Sequence, residues 1–346
     1  MNRVADRIMP VRQSLIKSNP TTPFFSVLIL CWNSQPYLQR CLEAMQDQTF
    51  KDFEIILVDN GSPEPVSVNE YLGFSELALR FIHLDQNLGF AGGNNYAAKF
   101  ARGEYIVLLN SDAFPLPDWL QVIHDTALTY PGTSFASRQI MADFPDRLDG
   151  EGDNYHVSGL VWRQSYGLRF EQVSPRRHEV FSACGAAAIY PRRAFEAVQG
   201  FDDQYFAYVE DVDLGFRLRL IGIPCLFLPD AVVYHVGSAS MGKSSDFSVY
   251  YGQRNLVWTF LKDVPALLIW VLLPGHLLAN LLQLFLSLWH RQGRITWRAK
   301  RDALADLGRI LMQRSTIQKR RTASVWSLMR VMDWNPISPF AKLWRR

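Results

Sequence analysis

Four short apolar runs, at residues 25–31, 54–58, 78–84 and 105–109, constrain this chain more than any other feature. Each has strand length, and the first is followed by Tyr37, Leu38, Cys41, Leu42 and Met45 at helical spacing. Strands that alternate with helices and are apolar at nearly every position belong to a mainly parallel sheet covered on both faces. The polar residues Asn33, Asp59, Asn60 and Asp112 fall where strands end. In open α/β sheets that edge is where ligands bind.

The 346 residues are 48% apolar and 13% aromatic, enough for a folded enzyme core. Cys31, Cys41, Cys184 and Cys225 lack the close pairing of a zinc site and the density of a disulfide scaffold, so reduced core thiols in a cytosolic setting are expected. The first twenty residues mix charges with scattered apolar residues, which does not fit a secretory signal. Residues 138–179 are rich in Gly, Asp, Arg and Tyr with poor periodicity. They read as a substrate-facing loop region, with Asp149, Asp153, Tyr155 and Trp162 as acceptor-site candidates.

Chemistry concentrates in three places. The strand-like Tyr105 to Leu109 delivers Asn110, Ser111 and Asp112 to its carboxyl end, where oxygen ligands suit Mg²⁺ or Mn²⁺ and, through it, a diphosphate. Glu210, Asp211 and Asp213 open a helical stretch, and three acids exceed what helix capping needs. Asp211 is the candidate general base, Glu210 its acceptor-binding neighbour, and Asp213 a carboxylate that holds the loop or an arginine. His235 ends a strand-like run beside Gly237, placed to complete a metal shell. A fourth segment, residues 87–95, carries Asn87, Gly89, Gly92 and Asn94 into a helix, whose first amides favour a phosphate. It has neither the Gly-x-Gly-x-x-Gly spacing of dehydrogenases nor the lysine of a P-loop, which argues against both classes.

Taken in order, the segments Ser-Val-Leu-Ile-Leu-Cys-Trp-Asn-Ser at 26–34, Glu-Ile-Ile-Leu-Val-Asp-Asn-Gly-Ser at 54–62, the Gly/Asn segment, Leu-Leu-Asn-Ser-Asp at 108–112 and residues 200–214 make the chain resemble family 2 glycosyltransferases of the GT-A fold. The rhamnosyltransferase-like bacterial branch is the nearest pattern. The resemblance implies a Rossmann-like, mainly parallel sheet, with Asn33, Asp59, Asn60, Asn87, Gly89, Gly92, Asn94, Asn110 and Ser111 around the nucleotide-sugar and Asp59 at its base or ribose. It makes Asp112 the last acid of an Asp-x-Asp metal motif, His235 its metal-binding partner and Asp211 the base. Asn110 departs from the usual first Asp and removes a charge. The implied reaction is an inverting transfer from a dTDP-rhamnose or UDP-hexose donor to a lipid-linked or polysaccharide acceptor. A soluble transferase and a silent sugar-nucleotide-binding scaffold are the competing readings.

Residues 1–290 carry 22 Lys/Arg against 30 Asp/Glu, whereas 291–346 carry 14 against 3. Between them, 264–290 has no charged side chain, and its length could cross a bilayer. Pro274, Gly275, His276, Asn280 and Gln283 weaken a simple span and make a re-entrant or interfacial helical hairpin at least its equal, with a buried helix of a soluble domain as the alternative. The basic stretch that follows is interleaved with Ile295, Trp297, Leu304 and Leu307, a pattern for a membrane surface rather than nucleic acid. The expected organisation is an N-terminal extension at 1–23, a catalytic domain at 24–261, and a helical, membrane-associated tail at 262–346 on the cytoplasmic membrane face.

Overall fold

The apolar runs need cover on both sides, and they obtain it by lying next to one another under two layers of helix. The computed structural model describes residues 12–15, 22–67, 73–237 and 245–341. Its strands are β1 (Arg12–Leu15), β2 (Phe25–Cys31), β3 (Phe53–Asn60), β4 (Leu79–Leu84), β5 (Tyr105–Asn110), β6 (Ala113–Pro115), β7 (Ser134–Met141), β8 (Phe144–Gly150), β9 (Asp153–Tyr155), β10 (Val161–Arg163), β11 (His178–Glu179), β12 (Ala187–Pro191) and β13 (Cys225–His235). The helices are α1 (Gln35–Gln46), α2 (Gly89–Ala98), α3 (Trp119–Thr129), α4 (Arg192–Ala197), α5 (Glu210–Leu220), α6 (Asp246–Asp263), α7 (Ala266–Trp289), α8 (Gly293–Ala305), α9 (Leu307–Arg320), α10 (Val325–Val331) and α11 (Ser338–Ala341). The expected N-terminal extension lies outside the described residues except at 12–15 and 22–23; the whole segment weighed as a secretory signal, save 12–15, lies outside them too.

The main sheet has the order β1-β4-β3-β2-β5-β12-β7-β13-β11, with β6 beside β13 and β8 beside β7. Strands β4, β3, β2 and β5 are parallel, as are β7 and β13, while β12 runs against both of its neighbours. This is the mixed, mostly parallel α/β sheet that the alternating pattern predicts. Val27, Ile29 and Leu57 face Leu38, Leu42, Trp119 and Ile123 on one side. Leu28, Ile56 and Val58 face Ala91, Phe195, Leu214 and Leu218 on the other. The registers Cys31 with Asp59 and Leu30 with Asn110 bring the carboxyl ends of β2, β3 and β5 to one edge.

Residues 138–179 are more regular than their composition suggests. They form the end of β7, its hairpin partner β8, the β9–β10 ribbon and β11. The alternation is hidden because exposed residues of β8 and half-buried ones of β10 carry no apolar stripe.

The C-terminal helices are built into the body. Phe260, Val264, Leu268, Leu272, Leu328 and Met332 share a core with Tyr155, Phe181, Val212 and Phe216. The expected boundary between 261 and 262 falls within α6. Helix α7 is one continuous helix of 24 residues with Pro274 inside it, so of the arrangements open for this stretch it does not form the hairpin. Pro274 removes only one N–H, and Leu268, Leu272 and His276, one helical turn apart, hold the segment against the domain. One broad face is bare, with Trp270 76%, Leu278 61% and Trp289 79% exposed, while Ile269 and Leu273 are half-buried against the same core.

A buried charge cluster joins α6 to α5. Lys262 Nζ lies 3.0 Å from Asp202 Oδ2 and also pairs with Asp213, which Arg217 Nη2 meets at 2.6 Å. Asp263 completes the group; burial first, and then the Asp213 charge, push its carboxyl well above the usual range. Folding therefore favours its protonated form, whereas the unfolded chain releases that proton above pH about 4. The native state binds the extra proton, so this site loses stability as pH rises. Asp263→Asn should raise Tm at pH 7 by roughly 2 °C or more, with the gain shrinking toward pH 4, as read by calorimetry.

Candidate functional site

A cavity of about 690 Å³ opens at the carboxyl edge of the parallel strands. Asn60, Asn87, Gly89, Asn110, Ser111, Asp112, Glu210, Asp211 and His235 all line it, although they come from five separate stretches of chain. The structure thus brings together most of the residues singled out in the sequence.

The acidic end is organised around His235. Its Nε2 lies 3.4 Å from Asp112 Oδ1 and 3.4 Å from Asn110 Nδ2, and its Nδ1 lies 2.7 Å from Asp149 Oδ2. Burial acts to lower the imidazole's pKa, but hydrogen bonds and charge from Asp112 and Asp149 outweigh it and lift the group to about 9. Arg163 Nη1 in turn donates to Asp149 Oδ2 at 2.5 Å. Asp149 was expected to face an acceptor; it stands behind His235 and fixes which ring nitrogen faces Asp112. A carboxylate behind a ligand histidine is the usual support of a metal site. Among the described residues no group of three or more His, Cys, Asp or Glu side chains converges on a metal position. Once its Nε2 gives up the proton that Asp112 and Asp149 favour in the absence of a cation, His235 together with Asp112 would hold a Mg²⁺ or Mn²⁺ ion that takes the rest of its oxygen shell from a diphosphate and water. Ser34 Oγ and Ser111 Oγ, 2.6 Å apart, fasten the β2 loop to the β5 loop beside them.

Opposite lies the start of α5. Gly185 N donates to Asp211 Oδ2 and Val212 N to Asp211 Oδ1, both at 2.9 Å. Burial raises the Asp211 carboxyl despite those amides and the nearby Arg163. Burial and the adjacent Asp211 charge raise Glu210 well above its ordinary value, and Glu210 Oε2 is buried without a hydrogen-bond partner. Asp213 is turned away from the cavity into the Arg217 and Lys262 cluster, which is the arginine-holding role expected of it.

The approach to these acids is strained. Phe206, Tyr208 and Val209 have φ of 65°, 66° and 70°. For side chains of this bulk, such values cost about 1–3 kcal/mol each and persist only where surroundings enforce them. Gly89, φ 73°, is required here, because a Cβ on it would collide with the Phe206 carbonyl and ring.

Other expected residues sit elsewhere. Asp59 is fully buried; it accepts from Ser62 N at 3.1 Å and Val66 N at 3.0 Å, and His83 Nδ1 lies 2.9 Å away. Its carboxylate orders the loop after β3 and does not line the cavity. Asn33 is exposed, with its N–H on Ser62 Oγ. Asn94 donates to Phe90 O inside α2, and Gly92 faces the opposite side of that helix near Asp203. Two of the α2 amides expected to take a phosphate are given to protein groups: Gly89 N to Asn87 Oδ1, and Ala91 N to Phe206 O. The four cysteines are buried and free.

With this geometry in view, the decisive comparison is that the model of "Glycosyl transferase family 2" matches residues 26–199. The chain belongs to this family. Its family 2 relatives include an N-acetylglucosaminyl-diphospho-decaprenol L-rhamnosyltransferase of Mycobacterium tuberculosis, 25% identical over 252 residues, covering 64% of this chain and 79% of that one. Another is the amylovoran biosynthesis glycosyltransferase AmsB of Erwinia amylovora, 24% identical over 248 residues, with 66% and 76% covered. Among solved structures, TarS 1-349 of S. aureus in complex with UDP-GlcNAc matches at TM-score 0.56 with 16% identity, over 89% of this chain and 90% of that one. GalNAc-T7 with UDP, GalNAc and Mn²⁺ matches at TM-score 0.58 with 15% identity, over 70% of this chain and 48% of that one. These structural likenesses establish the GT-A fold for this family 2 chain.

Sequence reasoning gave no role to Arg163, Trp32 or the Phe206–Val209 wall of the cavity. Trp32 and the wall lie inside the segments that carry the family resemblance, whereas Arg163 gains its place only from packing.

Proposed function

We propose that the chain is an inverting glycosyltransferase that moves a sugar from a nucleoside-diphosphate donor, dTDP-rhamnose or a UDP-hexose, to a hydroxyl of a lipid-linked or polysaccharide acceptor in cell-surface glycan synthesis. The observation that carries this reading is the meeting, in one cavity, of Asp211 with the Asp112 and His235 pair. Asp211, held by two backbone amides and raised by burial, takes the proton of the acceptor hydroxyl. The acceptor oxygen then bonds to the anomeric carbon as the bond to the donor phosphate breaks, and the nucleoside diphosphate leaves with that electron pair. A single displacement inverts the anomeric configuration. Asp112 and His235 would hold a divalent ion, which when bound would supply charge neutralisation for the diphosphate. Asn60, Asn87, Asn110 and Ser111 bind and orient the donor; Glu210 faces the acceptor.

The site works at the cytoplasmic face of a membrane, with α7 lying in the interface. The exposed Trp270, Leu278, Phe285 and Trp289 would enter the headgroup boundary, and Arg291, Arg294, Arg298 and Arg301 follow directly for anionic lipid. Docking of Leu268, Leu272 and His276 on the domain favours an in-plane helix over a span.

Calorimetric titration with UDP and with dTDP, each with and without Mn²⁺, tests the donor half. Metal-dependent micromolar binding of one nucleotide is expected, and binding of neither would remove the assignment.

A further inference from the structure

The strained wall before Asp211 is held from one side by two adjacent residues of α6 that the reaction itself does not use. Asn255, fully buried, points its Nδ2 at three carbonyls of the wall: Tyr205 O at 3.1 Å, Ala207 O at 3.0 Å and Tyr208 O at 2.7 Å. Arg254 Nη2 donates to Gln204 O at 2.7 Å and Tyr205 O at 3.2 Å. The guanidinium is itself fixed, lying 4.0 Å over the Trp258 ring and 4.7 Å over Tyr251. Arg254 Nε donates to Asn255 Oδ1 at 3.0 Å, so the guanidinium also aims the amide.

These carbonyls belong to a segment in which three non-glycine residues hold positive φ, and which ends at the first turn of α5. Backbone in that region relaxes unless surrounding contacts over-determine it. An amide group has two N–H bonds and here meets three carbonyls, an arrangement that only the native loop path satisfies. We propose that Arg254 and Asn255 are positioning residues. They pin residues 204–209 so that Asp211 and Glu210 face the cavity at a set distance from the Asp112 and His235 end. The inference rests on Asp211 acting as the base of the transfer.

Asn255→Ala, Arg254→Met and Arg254→Lys test it. In Asn255→Ala, kcat should fall at least tenfold while the nucleoside diphosphate Kd and donor KM stay within twofold, because the nucleotide end of the cavity is untouched. Arg254→Met should show the same split, and Arg254→Lys should recover part of the loss by keeping one donor. Unchanged kcat in the folded variants would overturn the proposal, as would a parallel loss of donor affinity. Hydrogen exchange of residues 204–212 reads the clamp without substrate, and Arg254→Met carries the test if Asn255→Ala does not fold. A wild type that transfers no sugar sinks the enzymatic reading; a loop that stays protected in both variants sinks the clamp.

Discussion

Asp211→Asn should lower transfer by about 10²–10⁴-fold and leave nucleoside diphosphate binding within a factor of two. The substitution is nearly isosteric, and an Asn Oδ1 in the same place can still accept one of the Gly185 and Val212 amides that hold Asp211. What disappears is the capacity to take a proton from a hydroxyl. Glu210 beside it is a poor substitute, since burial, the larger of the two influences on it, still favours its protonated form once the Asp211 charge is gone. The measurement is single-turnover transfer from the nucleotide-sugar, alongside calorimetry with the free nucleotide. Wild-type turnover in this variant would remove Asp211 from the reaction, and loss of nucleotide affinity would make its role structural.

The second large effect concerns the membrane. Leu278, Leu281 and Phe285 lie on one side of α7 and are 61%, 64% and 59% exposed, so replacing all three by glutamate should leave the fold intact. Burying three such side chains in an interface contributes about 5 kcal/mol or more, on the order of 10³ in partitioning. The added negative charges oppose anionic headgroups as well. Full-length protein should float with anionic vesicles, and the triple variant should remain at the bottom of the gradient. A wild type that never floats, or a variant that floats equally, would end the membrane reading.

The sheet was legible because β2, β3 and β5 are nearly continuous apolar runs with polar ends, and parallel pairing then brings Asn60, Asn110 and Asp112 to one edge. Asp211 and His235 were legible for a similar reason: each stands at the boundary of a recognisable element. Asp59 misled because a carboxylate at a strand end looks the same whether it meets a ligand or its own loop amides. Asp149 carries no signal of its own; only the β7–β8 hairpin places it behind His235. The same holds for Asn255, whose partners lie 47 to 50 residues earlier in the chain.

Helix α6 ends at Asp263, two residues before α7 begins its exposed apolar run, and ten residues separate Asn255 from Pro265. From Asn255 to the end of α6 at Asp263, about 1.5 Å per residue makes a helical strut of about 12 Å. With α7 seated at a lipid surface, this strut acts as a ruler. On the proposed membrane reading it would set how far above the bilayer a hydroxyl must stand to be glycosylated, and so would rank acceptors by the length of their stem before any sugar is recognised.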